Sequence, residues 1–226
     1  MKRLLLIVSA LLITLGATAQ QYEVFGGLSL PTIAYPSNSN QDKGQADRIG
    51  SFHFGARTYI NLSRGVHKTI GYGIIGVMFS GKGYNLKDYR NKYDLTVFVD
   101  TKGWGYSADF PVHFGLYIPV SKDIAIMPET GVTPSFGLFG KWKTSARYNN
   151  HEASEVFDGD YYDRSSFSGF RRIDASLNAS VGVEIQGKYT VRAGYDYGII
   201  NQTSGRGYPV KAKSRNLTLS FGYKFW

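Results

Sequence analysis

Ser107, Asp109 and His113 have the types and spacing that most invite a chemical reading, because a hydroxyl, a carboxylate and an imidazole are the parts of an acyl-transfer site. They fall on one face of an extended segment, where each two-residue step advances about 6.6–6.8 Å. Neighbours on one strand at that spacing cannot make the hydrogen bonds that link nucleophile, base and acid, so any such site needs partners from other strands. Glu152, Glu155, Asp158, Asp160 and Asp163 form a second set. Asp158-Gly159-Asp160 with Asp163 offers oxygen ligands of the kind Ca²⁺ takes. The spacing lacks the full EF-hand pattern, and a solvated acidic loop is the other reading. Tyr148, Tyr161 and Tyr162 in the same stretch suit either partner contacts or packing on a rim. The absence of Cys excludes a disulfide scaffold, thiolate metal sites, a Cys nucleophile and a lipid-modified N-terminal Cys. No phosphate loop, metal-ligand pair at helical spacing or coiled-coil heptad is present. The chain therefore reads as a non-enzyme, with no catalytic, cofactor-binding or metal-binding residue assigned and no cofactor expected.

The elements that carry these residues begin after residue 19. Lys2 and Arg3 precede a 12-residue apolar core, Leu4 to Leu15, and Ala17-Thr18-Ala19 supplies a small-x-small cleavage site. Residues 1–19 are thus expected to be a secretory signal peptide, leaving 20–226 as one domain. Cleavage removes two cations and lowers the formal charge from +9 to +7. No stretch reaches the ~20 apolar residues of a membrane-spanning helix.

Period 2 dominates the rest, the spacing at which successive side chains point to opposite faces of a sheet. Ile173, Ala175, Leu177, Ala179, Val181, Val183 and Ile185 alternate with Asp174, Ser176, Asn178, Ser180, Gly182 and Glu184. That run is long enough to cross a bilayer at a tilt, where ~9–11 residues suffice. Segments at Phe52–Leu62, Ala108–Ile118, Tyr189–Ile199 and Leu217–Phe225 repeat the pattern, and Tyr22–Leu30 and Ile124–Trp142 fit it with more Gly and Pro. Thr69–Gly83 is apolar on both faces, which leaves its register open. The count is eight strands. Short connections at Ser63–His67, Val120–Asp123 and Gln186–Lys188 alternate with long ones near Tyr35–Arg48, Asn85–Lys102, Thr144–Ser168 and Asn201–Ser214. This is the layout of an even-stranded antiparallel up-and-down transmembrane β-barrel, with both termini at the periplasmic side. A soluble lipocalin-like barrel or sandwich would point the apolar face inward instead. Two features favour the membrane. The polar face is mostly Gly, Ser, Thr and Asn with few Lys or Glu, and Tyr22, Trp142, Tyr189 and Phe225 sit near strand ends, where an interfacial girdle belongs.

The polar face of such a barrel collects Glu23, Asp109, Glu129, Asp174, Glu184 and Asp196 against Arg57, Lys141, Arg192 and Lys224, with His53 and His113. A proton or solute path is one reading. Paired charges filling a lumen only wide enough for side chains is the other, and the one expected. The basic balance, pI ≈ 9.5, comes with no stripe or motif for nucleic acid. After export, lipopolysaccharide is the expected counter-charge for external Lys82, Lys87, Arg90 and Lys92.

Leu217 to Phe225 resembles the outer-membrane assembly signal that closes on Tyr-x-Phe, here followed by Trp226. That resemblance implies the assembly machinery as a partner. The chain from about Tyr22 to Trp226 also resembles the porin-family, or PorT-like, small barrels of Bacteroidota. The resemblance rests on Asp109–Tyr117, Glu129–Pro134, Arg171–Asp174 and Gly194–Ile199. It implies an eight-stranded barrel of OmpA/OmpX-like architecture in the outer membrane, some of whose relatives assist secretion, and it implies no chemistry. With Trp226 ending the last strand, no peptidoglycan-binding domain is expected to follow. The expected role is structural or surface-binding through long external loops. A narrow pore for small solutes or ions stands second, and an outer-membrane lipid-modifying enzyme third.

Overall fold

The structure is a computed structural model that describes residues 21–34, 46–64, 69–92, 95–148, 151–162, 170–203 and 212–225. The expected signal peptide and Trp226 lie outside the described residues, as do most of the first and last long connections. The elements are β1 (Gln21–Ala34), β2 (Ser51–Arg64), β3 (Ile70–Lys92), β4 (Leu95–Asp109), β5 (Val112–Pro119), β6 (Ile124–Tyr148), β7 (His151–Asp160), β8 (Ile173–Ile185), β9 (Tyr189–Gly198) and β10 (Lys213–Phe225). All pairings are antiparallel, and they close on themselves: β1 pairs with β2, β2 with β3, β3 with β4 and β5, these with β6, β6 with β7 and β8, then β9, β10 and back to β1. The protein is an all-β closed barrel.

There are ten strands where the period-2 pattern implied eight, and the registers explain the difference. β4 and β5 both pair with β3 and with β6, so they are two halves of one stave of the wall. They are separated at Phe110-Pro111, where Pro111 has no N–H for the ladder. β7 and β8 both pair with β6 and share a second stave. Just after β7 the Tyr161 N–H donates to the Gly140 carbonyl, and just before β8 the Arg172 carbonyl accepts from the Gly137 N–H, both on β6. Eight staves therefore carry ten strands.

Burial shows which face is which. Along β8 the apolar residues are exposed and Asp174, Asn178, Ser180 and Glu184 are buried. The same inversion holds on β1, where Leu28 is 65 % exposed and Glu23 fully buried. A soluble barrel has the opposite parity, whereas lipid accepts an apolar exterior around a polar lumen. Closure also leaves no ladder edge within the wall, so its backbone N–H and C=O groups pair with neighbours rather than with lipid.

The two ends differ. At one end lie the tight turns at 120–123 and 186–188, together with Gln21 and Phe225. The turn before β9 places Gln186 (φ 53°) and Gly187 (φ 68°) at positive φ, as a primed hairpin turn requires. At the other end β3 and β6 run on for 23 and 25 residues. β2 pairs with β3 only as far as Ser80, so β3, β4, β6 and β7 rise beyond the wall as a sheet of their own. The connections expected as long loops at Asn85–Lys102 and Thr144–Ser168 are thus largely strand.

Candidate functional site

The polar lumen is where the sequence pattern concentrated ionisable groups, and the fold brings most of them together. In the half nearest the tight turns, β1, β2, β6 and β9 each aim one charge inward. Arg57 donates from Nε and Nη2 to the two oxygens of Glu23, at 3.1 and 2.8 Å, and from Nη1 to Glu129 at 3.3 Å. Arg192 approaches Glu23 at 3.5 Å and Glu129 at 3.0 Å. The four residues make a closed ring in which every charge meets two of opposite sign. Tyr59 donates to Glu23, Thr190 donates to Glu23 at 2.7 Å, and Tyr72 donates to Glu129 at 3.1 Å. Lys224 pairs with Glu184 and lies 4.1 Å from the centre of the Tyr59 ring. Below this ring Tyr59, Tyr72, Ile74 and Met127 pack as an apolar cluster. That packing is why Thr69–Gly83 reads as apolar on both faces: Tyr72 and Ile74 fill the lumen while Ile75, Val77 and Phe79 face outward.

In the other half, Asp109 accepts from Ser80 at 2.5 Å and Ser107 at 2.6 Å, and pairs with Lys82 at 3.3 Å. Lys82, expected outside, is therefore inside the barrel, because the even positions of β3 face inward there. Above it, Tyr84, Tyr161, Tyr162 and Phe170 close the mouth with Ile33, Ala46 and Ala212. Tyr161 stacks on Phe170 at 4.9 Å, and Tyr162 donates its hydroxyl to the Tyr106 carbonyl at 3.1 Å. Burial pushes the Tyr162 phenol above its ordinary pKa. Gly137 faces the Tyr162 ring and has no room for a Cβ.

Lys141, expected inward, is exposed, and Trp142, expected in a lipid-facing girdle, is buried. One cause accounts for both. Tyr106 pairs with Phe139 but Ser107 pairs with Gly137, so Leu138 is an extra residue that reverses the parity of β6 beyond it. Nothing in the local alternation marks that bulge, although Gly137 and Gly140 flanking it are a weak signal.

Ser107, Asp109 and His113 do share the inward face, but His113 bonds Thr133 at 2.9 Å and lies on the far side of the Pro111 break. A pairing that the sequence did not suggest occurs at His53, whose ring nitrogens meet Ser29 at 2.8 Å and Ser220 at 2.7 Å. β1, β2 and β10 bring these three together, His53 and Ser220 lying 167 residues apart in the chain, beyond the reach of any motif. A Ser–His couple of this kind lacks the carboxylate that orients the base, because serines occupy both nitrogens. Among the described residues, no group of three His, Asp or Glu side chains is placed to hold a metal ion. Asp158 and Asp160 lie on β7 opposite Lys143 and Lys141, and Asp163 lies outside the described residues.

On the outer surface, Phe54, Phe79, Tyr106 and Phe139 form an aromatic stripe with centroids 5.1–5.3 Å apart along successive contacts. Trp104, 45 % exposed, stands above it, and the next row of the sheet sets Lys102 directly opposite Lys143.

No protein-family model and no curated protein matches the chain. Among solved structures, the attachment invasion locus protein Ail of Yersinia pestis, in complex with the heparin analogue sucrose octasulfate, aligns at 13% identity and a TM-score of 0.38, over 91% of this chain and 98% of Ail. Neisserial surface protein A aligns at 13% identity and a TM-score of 0.36, over 90% and 95%. The toluene transporter TbuX of Ralstonia pickettii aligns at 7% identity and 0.25, over 93% and 91%. Likeness at this level transfers no activity to the chain.

Proposed function

We propose that this is an exported, integral outer-membrane protein, of the kind found among the porin-family small barrels of Bacteroidota, which acts through its exterior and its tall hairpins rather than through its lumen. The observation that carries this reading is closure at both ends. A ring of buried ion pairs over an apolar cluster fills the tight-turn half, and four aromatic rings cover the mouth. Charges held in mutual contact offer no free ligands to a passing ion. The role is then structural or surface-binding, with both termini periplasmic and the β3–β4 and β6–β7 hairpins outside the cell. Planar-bilayer recordings of the purified barrel test it: no stable open level is expected, and a reproducible single-channel conductance would favour the narrow pore instead.

The outer surface suggests what the hairpins meet. Lys102 and Lys143 face each other in register, with Asp100 4.0 Å from Lys102 and Asp158 opposite Lys143, so the pair's mutual repulsion is only partly offset. With Lys87 and Lys141 on the same outward face, they stand just above Trp104 and the aromatic stripe. Phosphorylated headgroups of lipopolysaccharide supply an anion in this reading, with Asp158 and Asp160 limiting the basic zone on its β7 side. Replacing Lys102, Lys141 and Lys143 by Gln should weaken binding to lipopolysaccharide vesicles about tenfold or more, with a salt dependence that falls in parallel. Unchanged affinity would remove lipopolysaccharide as the partner of this face.

A further inference from the structure

The ion ring leaves one of its own donors unused. Arg57 directs Nε, Nη1 and Nη2 at Glu23 and Glu129. Arg192 reaches the two glutamates through Nη1 and Nη2 only, and its buried Nε meets no acceptor among the described residues. Asn178 shows the converse. It donates from Nδ2 to Asp196 at 2.7 Å, which turns its Oδ1 away from that carboxylate, and the buried oxygen finds no donor. Flipping the amide would set oxygen against carboxylate oxygen. Arg192 and Asn178 are 6 % and 8 % exposed, so bulk water does not reach these atoms freely. Both residues border one cavity of about 50 Å³ in the middle of the lumen, bounded also by Glu129 of the ring and by Asp196.

The same pairing of unmet groups recurs nearer the mouth. Asn216 also donates to Asp196, at 3.2 Å, and its Oδ1 is unmet, while Arg171 Nε and Gln202 Nε2 are buried donors without acceptors. These three residues border a second cavity, of about 30 Å³, and Asp196 borders both. The lining of the second cavity mixes signs, with Lys82, Arg172 and Arg215 besides Arg171 against Asp174 and Asp196. A cation satisfies only acceptors and an anion only donors, so neither meets what either cavity presents. Water donates and accepts. Cavities that stay empty in proteins are apolar, whereas a buried water makes about three hydrogen bonds to polar groups that otherwise lack partners.

We propose that both cavities bind ordered water as a working part of the plug. At about 10–15 Å³ for each molecule, roughly one or two fit in the mouth cavity and two or three in the middle one. In the middle they link Arg192 Nε on β9 to Asn178 Oδ1 on β8. At the mouth they link Arg171 Nε and Gln202 Nε2, which flank β8 and β9, to Asn216 Oδ1 on β10. Asp196 separates the two groups, held by one asparagine from each neighbouring strand. The lumen is then wet as far as the ring and dry beyond it. In the cluster of Tyr59, Tyr72, Ile74 and Met127 the only side-chain hydroxyls, those of the two tyrosines, are already bonded to glutamates.

Crystals of the detergent-solubilised barrel, at a resolution that shows ordered water, test this directly. Density is expected about 2.7–3.2 Å from Arg192 Nε and from Asn178 Oδ1. Empty density there overturns the proposal, as does a peak bonded to oxygen atoms alone, which would mark a cation. Radiolysis gives a second readout without crystals. A brief X-ray pulse turns trapped water into hydroxyl radicals, which oxidise the nearest thioether. Met78 borders the middle cavity, and Met127 lies in the dry cluster. Mass spectrometry should find Met78 converted to sulfoxide roughly tenfold faster than Met127. Equal rates overturn the proposal. Thr218 borders the middle cavity, and Thr218→Ile keeps the β-branch while extending an apolar group into the space. In that variant Met78 oxidation should fall towards the Met127 rate. An unchanged Met78 rate in folded Thr218→Ile would mean that the oxidant does not come from the cavity, and also overturns it. If Thr218→Ile does not fold, the wild-type density and the ratio of the two rates decide.

Discussion

The two halves of the lumen are built from the same staves and meet different demands. Near the tight turns, each arginine of the ring touches two glutamates and each glutamate two arginines, and tyrosine and threonine hydroxyls take up remaining lone pairs. Near the mouth, Lys82 contacts Asp109, while Asp174 and Asp196 lean on neutral donors. The contrast teaches that a polar lumen does not imply a path. Charges that neutralise one another within the chain make a plug, whereas carboxylates held by neutral donors add no ion pair across the lumen.

The difference is most sharply broken by removing one cation from each half. Arg57→Met leaves Glu23 and Glu129 to share Arg192, and should destabilise the barrel by about 3–5 kcal/mol, the usual cost of orphaning a buried charge. Lys82→Met removes one ion pair from Asp109, which keeps the Ser80 and Ser107 hydroxyls as donors, and should cost about 1–3 kcal/mol. Equilibrium urea unfolding in detergent, followed by tryptophan fluorescence, measures both. Equal losses would mean that the ring has no special standing.

A smaller effect should come from packing at the mouth. Gly137→Ala places a methyl against the Tyr162 ring, and Tyr162 is held there by its bonds to Tyr106 and Asp160. Overpacking of this kind costs about 1–3 kcal/mol. Because the tight-turn plug is untouched, the variant should remain non-conducting in planar bilayers. Conductance appearing in Gly137→Ala would show that the aromatic cover alone closes the lumen.

Much of this was legible in the sequence, for a physical reason. A transmembrane strand must alternate wherever one face meets lipid and the other a packed lumen, so parity placed Glu23, Arg57, Asp109, Glu129, Asp174, Glu184, Arg192, Asp196 and Lys224 inside. Parity fails where the count of residues per stave changes. The extra residue at Leu138 moved Lys141 outward and Trp142 inward, and the register of the two strands, not the composition of either, sets such a bulge. Lys82 was misplaced because Thr69–Gly83 is apolar on both faces and leaves the register of β3 open. Contacts across staves, such as Ser29–His53–Ser220 and the four-residue ring, depend on closure and leave no local mark.

The smallest effects test that parity reversal directly. Trp104 and Trp142 are separated by little in height, since Gly103 pairs with Trp142 and Trp104 with Lys141, yet one faces outward and the other is 7 % exposed inside. In vesicles of brominated lipid, a protein retaining only Trp104 should be quenched measurably more than one retaining only Trp142. Lys141→Gln, on the outer face, should change stability by no more than about 0.5 kcal/mol. If Lys141→Gln instead matched Lys82→Met in cost, Lys141 would have to point into the lumen. The mouth would then hold a further cation near its carboxylates, and the contrast between the halves would narrow.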